Sequence, residues 1–214
     1  MLFSGLLILG SCGKAELRSE IKKLKSEITD LKTTTRVDVD GHIAKWPVSS
    51  QKAAQEMLDK YGLPQGITNE MLVWNKTGLF KKTIVYKEDT INLFPERHSD
   101  VLEQVVDFAV PKDKVLHLWE FDGSISIDKV KGELIARNQS EEMNVLALNL
   151  AVEIIAGKFT PEQARKEFSS TWEAFKRGNA SQYVTNLNFS QSSNSGNPDQ
   201  SIPVIKMQAQ EVNP

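Results

Sequence analysis

The sequence predicts an α+β protein, a small antiparallel sheet packed against helices and preceded by an N-terminal helical stalk. Three observations predict it. Apolar residues recur with heptad spacing from Leu17 to Leu31. Two β-rich runs, 115–121 and 124–130, flank a turn dipeptide. The run 141–156 is apolar on most of its helical circumference, which is typical of a helix in the centre of a core.

Composition limits the class of protein. The 214 residues are 40% hydrophobic and 25% charged, which is the composition of one globular domain with tails. The formal net charge of −2 offers no electrostatic footprint for nucleic acid, so no nucleic-acid partner is expected. No repeat with a period of 20 to 50 residues is present, which argues against a solenoid or a propeller.

The first residues form a short apolar run that ends in Leu9-Gly10-Ser11-Cys12, and Cys12 is the only cysteine of the chain. About eight apolar residues are too few to cross a membrane core, which needs about 20 in a helix. The alternative is a buried N-terminal helix or strand. The tetrapeptide resembles the lipobox of bacterial lipoprotein signal peptides.

That resemblance implies a signal peptide at 1–11 and a lipid anchor on Cys12, with acyl chains such as palmitate in the bilayer. It also implies a location in the bacterial cell envelope. The residue after the cysteine is Gly13 rather than aspartate, and an aspartate at that position would resemble an inner-membrane retention signal. A location at the outer membrane or the cell surface is therefore permitted.

The stalk is predicted over residues 12–40. Its apolar positions are spaced by four and three residues, with isoleucine at a and leucine at d, which favours a parallel two-stranded coiled coil and hence a homodimer. An amphipathic helix folded back on its own domain and a frayed spacer are the alternatives, since two heptads are marginal in water. Thr33 to Gly41 is expected to break the helix as a linker. The apolar positions, called the α1 seam below, are Leu17, Ile21, Leu24, Ile28 and Leu31.

The globular domain is expected over residues 41–185. Ser49 or Ser50 is expected to cap a helix that ends at Tyr61, where Gly62 suits the left-handed terminating conformation. Strands are then predicted at 71–74 and 83–86, around a turn at 75–78.

Asp100 and Glu103 are spaced as a capping box, so a short helix through Val106 is expected. The runs Val115–Phe121 and Ser124–Val130 are predicted to form a hairpin around Asp122-Gly123, with Asp122 as a turn residue.

A further strand is predicted at 132–137, followed by the buried helix from Glu141 to Ala156, which Gly157 ends. The last helix starts at Thr160, with Pro161 at its first position and Gln163 at the capping-box position, and it stops near Gly178. The segment 186–214 is expected to be a flexible tail, with a possible edge strand at 202–207.

Catalytic motifs are absent from the sequence: it has no Gly-rich phosphate loop, no nucleophile elbow and no Cys-x-x-Cys pair. No cofactor and no metal are predicted. The best constellation for an acid and a base is His98 and Asp100 with Glu103 nearby. The alternative is that Asp100 caps a helix and His98 makes hydrogen bonds within a loop.

Three further polar residues are candidates for binding. Arg137 and Glu142 lie where a strand is followed by the buried helix. Such a junction could bind an anion, because the helix N-terminus offers free backbone N–H groups and Arg137 a planar guanidinium. An internal ion pair between them is the favoured alternative. Asn149 is polar within an apolar helix, and we expect it to satisfy a buried backbone group, although it would also suit a pocket wall.

The four tryptophans are scattered through separate elements, which favours core packing over a stacking platform. The globular part resembles uncharacterised bacterial domains in its Trp46-Pro47, 122–124 and 147–151 motifs, and no activity follows from that resemblance. The sequence therefore predicts a membrane-anchored envelope lipoprotein with a non-enzymatic binding or interaction domain. A small envelope hydrolase or metal-dependent enzyme centred on His98 and Asp100, and a structural spacer in an envelope complex, are the alternatives.

Overall fold

The structure is a computed structural model that describes residues 9–179 and 181–191, without the side chains of 9–12 and 31–35. Six α-helices and a short 3₁₀ turn at Lys112–Lys114 are found in this part of the chain. The helices are α1 Leu9–Ile43, α2 Val48–Tyr61, α3 Val115–Phe121, α4 Glu141–Ile155, α5 Pro161–Lys176 and α6 Gln182–Thr185.

Six strands form one antiparallel sheet with the order β1-β2-β3-β4-β6-β5. This sheet and the helices that cover it confirm the predicted α+β class. The strands are β1 Gly66–Ile67, β2 Met71–Thr77, β3 Phe80–Asn92, β4 His98–Asp107, β5 Ile125–Asp128 and β6 Glu133–Asn138.

Helix α1 is continuous through the segment where a linker was expected, so the predicted break at 33–41 is wrong. Three threonines lower helix propensity by a few tenths of a kcal/mol each, which is too little to end a helix that is held at its far end. Val39 and Ile43 are buried in the domain, and Arg36 Nη2 lies 2.9 Å from Asp59 Oδ1 on α2. The domain therefore begins within α1 rather than after it.

Residues 13–30 of α1 are exposed. Leu17, Ile21, Leu24 and Ile28 of the α1 seam are 44–57% exposed, and the Leu31 side chain lies outside the described residues. Within the described chain, no helix is both long enough and apolar enough to cross a membrane.

The core has two parts on the same sheet face. One part places α2 and the end of α1 against Leu72, Trp74, Val85 and Leu102. The other surrounds α4, which is buried along nearly its whole length and contacts α3, α5, α6 and the sheet. Trp46, Trp74 and Trp172 are buried in these clusters, whereas Trp119 is exposed.

Residues 98–107 form a strand, so the predicted capping box of Asp100 and Glu103 is wrong. The segment pairs with β3 on one side and β6 on the other. Its β-branched Val101, Val105 and Val106 suit such a central strand, and two neighbouring strands outweigh a local helix signal.

The predicted hairpin at Asp122-Gly123 is also wrong, because 115–121 is a helix. Leu118 and Phe121, one turn apart, are buried against the core. The hairpin lies one element later: β5 and β6 pair around a four-residue turn, in which Gly132 has φ +67° and Asp128 Oδ1 accepts from the Lys131 amide.

In α2, α4 and α5, all but one of the helix termini predicted from glycine and capping signals are confirmed, including the ends of α4 at Gly157 and of α5 near Gly178. Thr160 and Gln163 form the predicted capping box of α5, and Gly62 ends α2 with φ +75°. The predicted serine cap of α2 is wrong. Pro47 occupies that position, while Ser50 is buried and its hydroxyl donates to the Lys87 carbonyl at 3.0 Å.

The described chain ends at Gln191. Its side-chain amide donates a hydrogen bond to the Leu79 carbonyl between β2 and β3 and accepts one from the Asp107 amide at the end of β4. The tail predicted at 186–214 is therefore ordered at its start. The possible strand at 202–207 lies outside the described residues.

Candidate functional site

A cleft opens where α2, the first residues of β4, the start of α4 and the end of α5 meet. Its volume is about 460 Å³, within the range of small-molecule sites. It contains His98 and Glu142, two of the residues selected from the sequence, and we call it the Glu56–Glu142 cleft. Its lining residues are Ser49, Lys52, Glu56, His98, Ser99, Val101, Gln139, Ser140, Glu142, Trp172 and Phe175.

His98 lines the cleft, but its side chain is only 1% exposed and both ring nitrogens face acceptors within the protein. Nδ1 lies 2.8 Å from the Glu96 carbonyl oxygen, and Nε2 lies 2.9 Å from Asp100 Oδ1 in a bent contact. Both neighbours are acceptors, so the doubly protonated ring satisfies them best. Burial lowers the pKa of His98, but Asp100 and the Glu96 carbonyl outweigh it and raise that pKa above its ordinary value. A ring whose two nitrogens both face acceptors within the protein is not placed to act as a general base on a ligand in the cleft.

Asp100 is held by two hydrogen bonds from neighbouring strands. Its Oδ2 accepts from Asn92 Nδ2 at 3.0 Å, and its backbone carbonyl accepts from Arg137 Nε at 3.0 Å. Neither contact faces the cleft. His98 and Asp100 therefore come together as the sequence suggested, but as a buried structural pair.

Five buried side-chain atoms of the described residues have no well-formed hydrogen bond: His98 Nε2, Asp100 Oδ1, Asp122 Oδ2, Asn138 Oδ1 and Arg137 Nη2. Burial raises the pKa of Asp122, whose Oδ1 already accepts from the Ser124 amide, and the Asp100 carboxylate adds to the shift. Of the residues that carry these atoms, only His98 lines the cleft.

A second buried polar network lies under the first turn of α4. Glu141 Oε2 accepts from Gln104 Nε2 at 2.7 Å and from the Tyr61 hydroxyl at 2.8 Å, and Oε1 accepts from Lys60 Nζ at 2.7 Å. Asn144 Nδ2 donates to the Leu102 carbonyl at 3.0 Å. These residues fix α4 on the sheet and leave no free group for a ligand.

Glu103 lies on the opposite sheet face from Asp100, because successive strand side chains alternate. Glu103 pairs in register with Arg137 and accepts from the Tyr86 hydroxyl at 3.2 Å. Arg137 stacks on the Tyr86 ring at 4.0 Å. Burial raises the pKa of Glu103, although Tyr86 and Arg137 oppose the shift. Glu103 therefore does not join His98.

The predicted ion pair between Arg137 and Glu142 is wrong, since no such contact exists between these two described residues. The pleat of β6 explains this. Asn138 points towards α4 and donates to Asn144 Oδ1 at 3.1 Å, so the adjacent Arg137 points away from α4. Glu142 is left in the cleft without a cation.

Asn149 has the structural role expected of it. Its Nδ2 donates to the Tyr183 and Asn186 carbonyls at 3.0 and 2.7 Å, and its Oδ1 accepts from the Asn188 amide at 2.8 Å. It lies away from the cleft and attaches the segment around α6 to the core.

Glu56 and Lys52 on α2, and Trp172 and Phe175 on α5, were not selected from the sequence. A usable signal existed, since Ser49, Lys52 and Glu56 have the three- and four-residue spacing of one helix face. Nothing local reveals, however, that this face and the start of α4 share one cleft.

No group of three or more histidine, cysteine, aspartate or glutamate side chains among the described residues has a geometry that holds a metal ion. The chain has no significant match to any protein-family model, to any curated protein or to any solved structure.

Proposed function

We propose that this protein is a membrane-anchored bacterial envelope lipoprotein, held by lipid on Cys12, whose domain binds a partner or ligand without catalysis. The observation that carries the proposal is helix α1. It has an exposed N-terminal part and a C-terminal end buried in the domain, as a stalk between an anchor and a binding domain requires.

The length of α1 sets the distance between Cys12 and the domain. Cys12 and Val39 are 27 residues apart within one helix, which corresponds to about 40 Å at 1.5 Å per residue. A lipid on Cys12 would hold the domain at up to this distance from a bilayer, out of reach of most headgroups.

Binding is favoured over catalysis because, among the described lining residues, no serine hydroxyl is hydrogen-bonded to His98, Glu56 or Glu142. Ser99 is the nearest hydroxyl in sequence to His98, whose nitrogens are engaged elsewhere. The hydrolase alternative centred on His98 and Asp100 therefore has less support than a binding cleft. A plain spacer would need no cleft at all.

The anchor is tested by Cys12→Ala in a bacterium that processes lipoproteins, with Ser19→Ala in the stalk as the matched control. We expect the unaltered chain and the control to remain in the carbonate-washed membrane fraction and to incorporate labelled palmitate. The Cys12→Ala protein should be released and unlabelled. Membrane retention of Cys12→Ala with no loss of label would refute the anchor.

We also propose a parallel homodimer through the α1 seam. Its support is that the side chains of Leu17, Ile21, Leu24 and Ile28 are half exposed and have no partner within the described part of their own chain. Glu20 and Glu27 at g face Lys25 and Lys32 at the following e positions of a second copy. Deletion of residues 14–34 should halve the mass in light scattering, and an unchanged mass would exclude the zipper.

A further inference from the structure

The Glu56–Glu142 cleft contains two carboxylates that the protein does not neutralise. Neither Glu56 nor Glu142 forms a hydrogen bond or an ion pair with another residue of the described chain. Burial raises the pKa of Glu56, nearby Lys52 lowers it, and the Glu142 carboxylate raises it again. Lys52 stays beyond ion-pair distance of both.

One wall of the cleft is aromatic. The rings of Trp172 and Phe175 stack with centroids 5.3 Å apart and an interplanar angle of 26°. Trp172 Nε1 donates to Glu96 Oε1 at 3.1 Å, so the indole is fixed in place and its polar atom is already used. An aromatic surface beside uncompensated carboxylates attracts cations and also packs against apolar stems.

The remaining groups argue against other ligands. An anion would meet two carboxylates and one ammonium, Lys52, because the nitrogens of His98 face inward. A metal ion would need a third acidic or histidine ligand, and the described residues offer none in a suitable position.

We propose that the Glu56–Glu142 cleft binds an organic cation, an ammonium or guanidinium group carried on an apolar stem. The cation lies between the carboxylates of Glu56 and Glu142, and the stem lies along Trp172 and Phe175. This assignment rests on the binding function proposed above and names the chemistry of its ligand. A lysine or arginine side chain of a polypeptide and a free alkylamine share this chemistry.

Calorimetric titration of the full chain with matched six-carbon probes tests the charge. Hexylamine should bind, whereas hexanol and hexanoate should bind at least tenfold more weakly. Blocked lysine and arginine peptides form the second arm. Binding of these peptides with no binding of hexylamine identifies a polypeptide source, and the reverse identifies a free amine; either result supports the cation.

Three variants give an electrostatic signature that a merely apolar groove would not show. Glu142→Gln should weaken hexylamine, or the peptide that binds, about tenfold, since it removes a charged hydrogen-bond acceptor. Lys52→Gln should strengthen binding about two- to threefold, since it removes a competing cation. Glu120→Gln on the exposed side of α3 is the control and should change nothing.

Hexanoate binding as tight as hexylamine, or equal affinity in Glu142→Gln and the unaltered chain, would overturn the proposal. So would the absence of binding by both amine and peptides at 10 mM, on the order of the weakest useful affinity. Saturable hexanoate binding would leave a binding domain with another ligand. The Cys12→Ala fractionation is independent of all these outcomes.

Discussion

Helices α1 and α4 are both rich in leucine and isoleucine, but their surroundings are opposite. The described seam residues of α1, Leu17 to Ile28, are half exposed, while Leu146, Leu148 and Leu150 of α4 are fully buried. Apolar residues recur every three to four positions on α1 and surround α4 on nearly all sides. The period of the pattern, rather than the amount of apolar surface, therefore distinguishes a helix whose apolar stripe is exposed from one that is buried at the centre of its own domain.

The comparison extends to polar residues. On α4 the side chains of Glu141, Asn144 and Asn149 are buried and hydrogen-bonded to other elements. They hold the core in place. Glu142, on the same helix but facing the cleft, has no such partner. The presence of a hydrogen-bond partner, rather than the residue type, therefore separates the structural polar side chains of α4 from Glu142, the candidate for binding.

The largest expected effect on stability is on α4. Leu148→Ala leaves a cavity at a fully buried site, so we expect the free energy of unfolding to fall by about 3 kcal/mol. Urea denaturation followed by circular dichroism measures this. A loss below about 1 kcal/mol would mean that α4 is not the centre of the core.

A smaller loss is expected for Asn144→Ala. The change leaves the Leu102 carbonyl and Asn138 Nδ2 short of a partner, which costs about 2 kcal/mol. Asn179→Ala, at an exposed position, is the control in the same urea experiment. Equal stabilities of the two variants would show that the network is not needed.

The pH dependence of stability tests the two buried groups with raised pKa values, His98 and Asp122. A histidine with a raised pKa stabilises the fold fully below its ordinary pKa of about 6.5, and this contribution disappears as pH rises through the raised value. Asp122 has the same sign, because burial raises its pKa, with a window that begins near about 3.9.

We therefore expect the free energy of unfolding to fall as pH rises above about 6.5. His98→Gln should flatten this slope, whereas the exposed His117→Gln on α3 should retain it. A slope that persists in His98→Gln would assign the proton to another group.

The smallest expected effect on domain stability is on α1. Leu24→Ala removes exposed side-chain atoms and introduces the best helix former, so the free energy of unfolding should change by less than about 0.5 kcal/mol. Sedimentation of the same protein should show weaker self-association. A large loss of domain stability at low protein concentration would mean that the seam packs on its own chain.

Signals that act within a few residues predicted the fold well. The capping box at Thr160, the terminating Gly62 and the apolar circumference of α4 each specify a local conformation that the tertiary structure retains. Asp122-Gly123 and the Asp100–Glu103 spacing failed because the outcome there depends on distant partners. Strands β3 and β6 pair with residues 98–107 on both sides, which makes that segment a strand. In 115–121, burial of Leu118 and Phe121 in the core favours a helix.

The site was predictable only in part for the same reason. His98 and Glu142 were selected by type, and both lie in the cleft. Glu103 and Arg137 were selected with them, but the pleat of β4 and β6 turns them to the other sheet face. Lys52 and Glu56 could not be selected from the sequence, because only the tertiary structure shows that α2 and the start of α4 line the same cleft.

The unbroken α1 couples length to rotation. Since each helical residue turns the chain by about 100° and advances it by about 1.5 Å, one residue inserted between the seam and Val39 would swing the domain by more than a quarter turn. Seven inserted residues would advance it by about 10 Å with only about 20° of rotation. The helix thus sets the direction in which the cleft faces relative to the N-terminal end of α1, and insertions of seven residues largely preserve that direction.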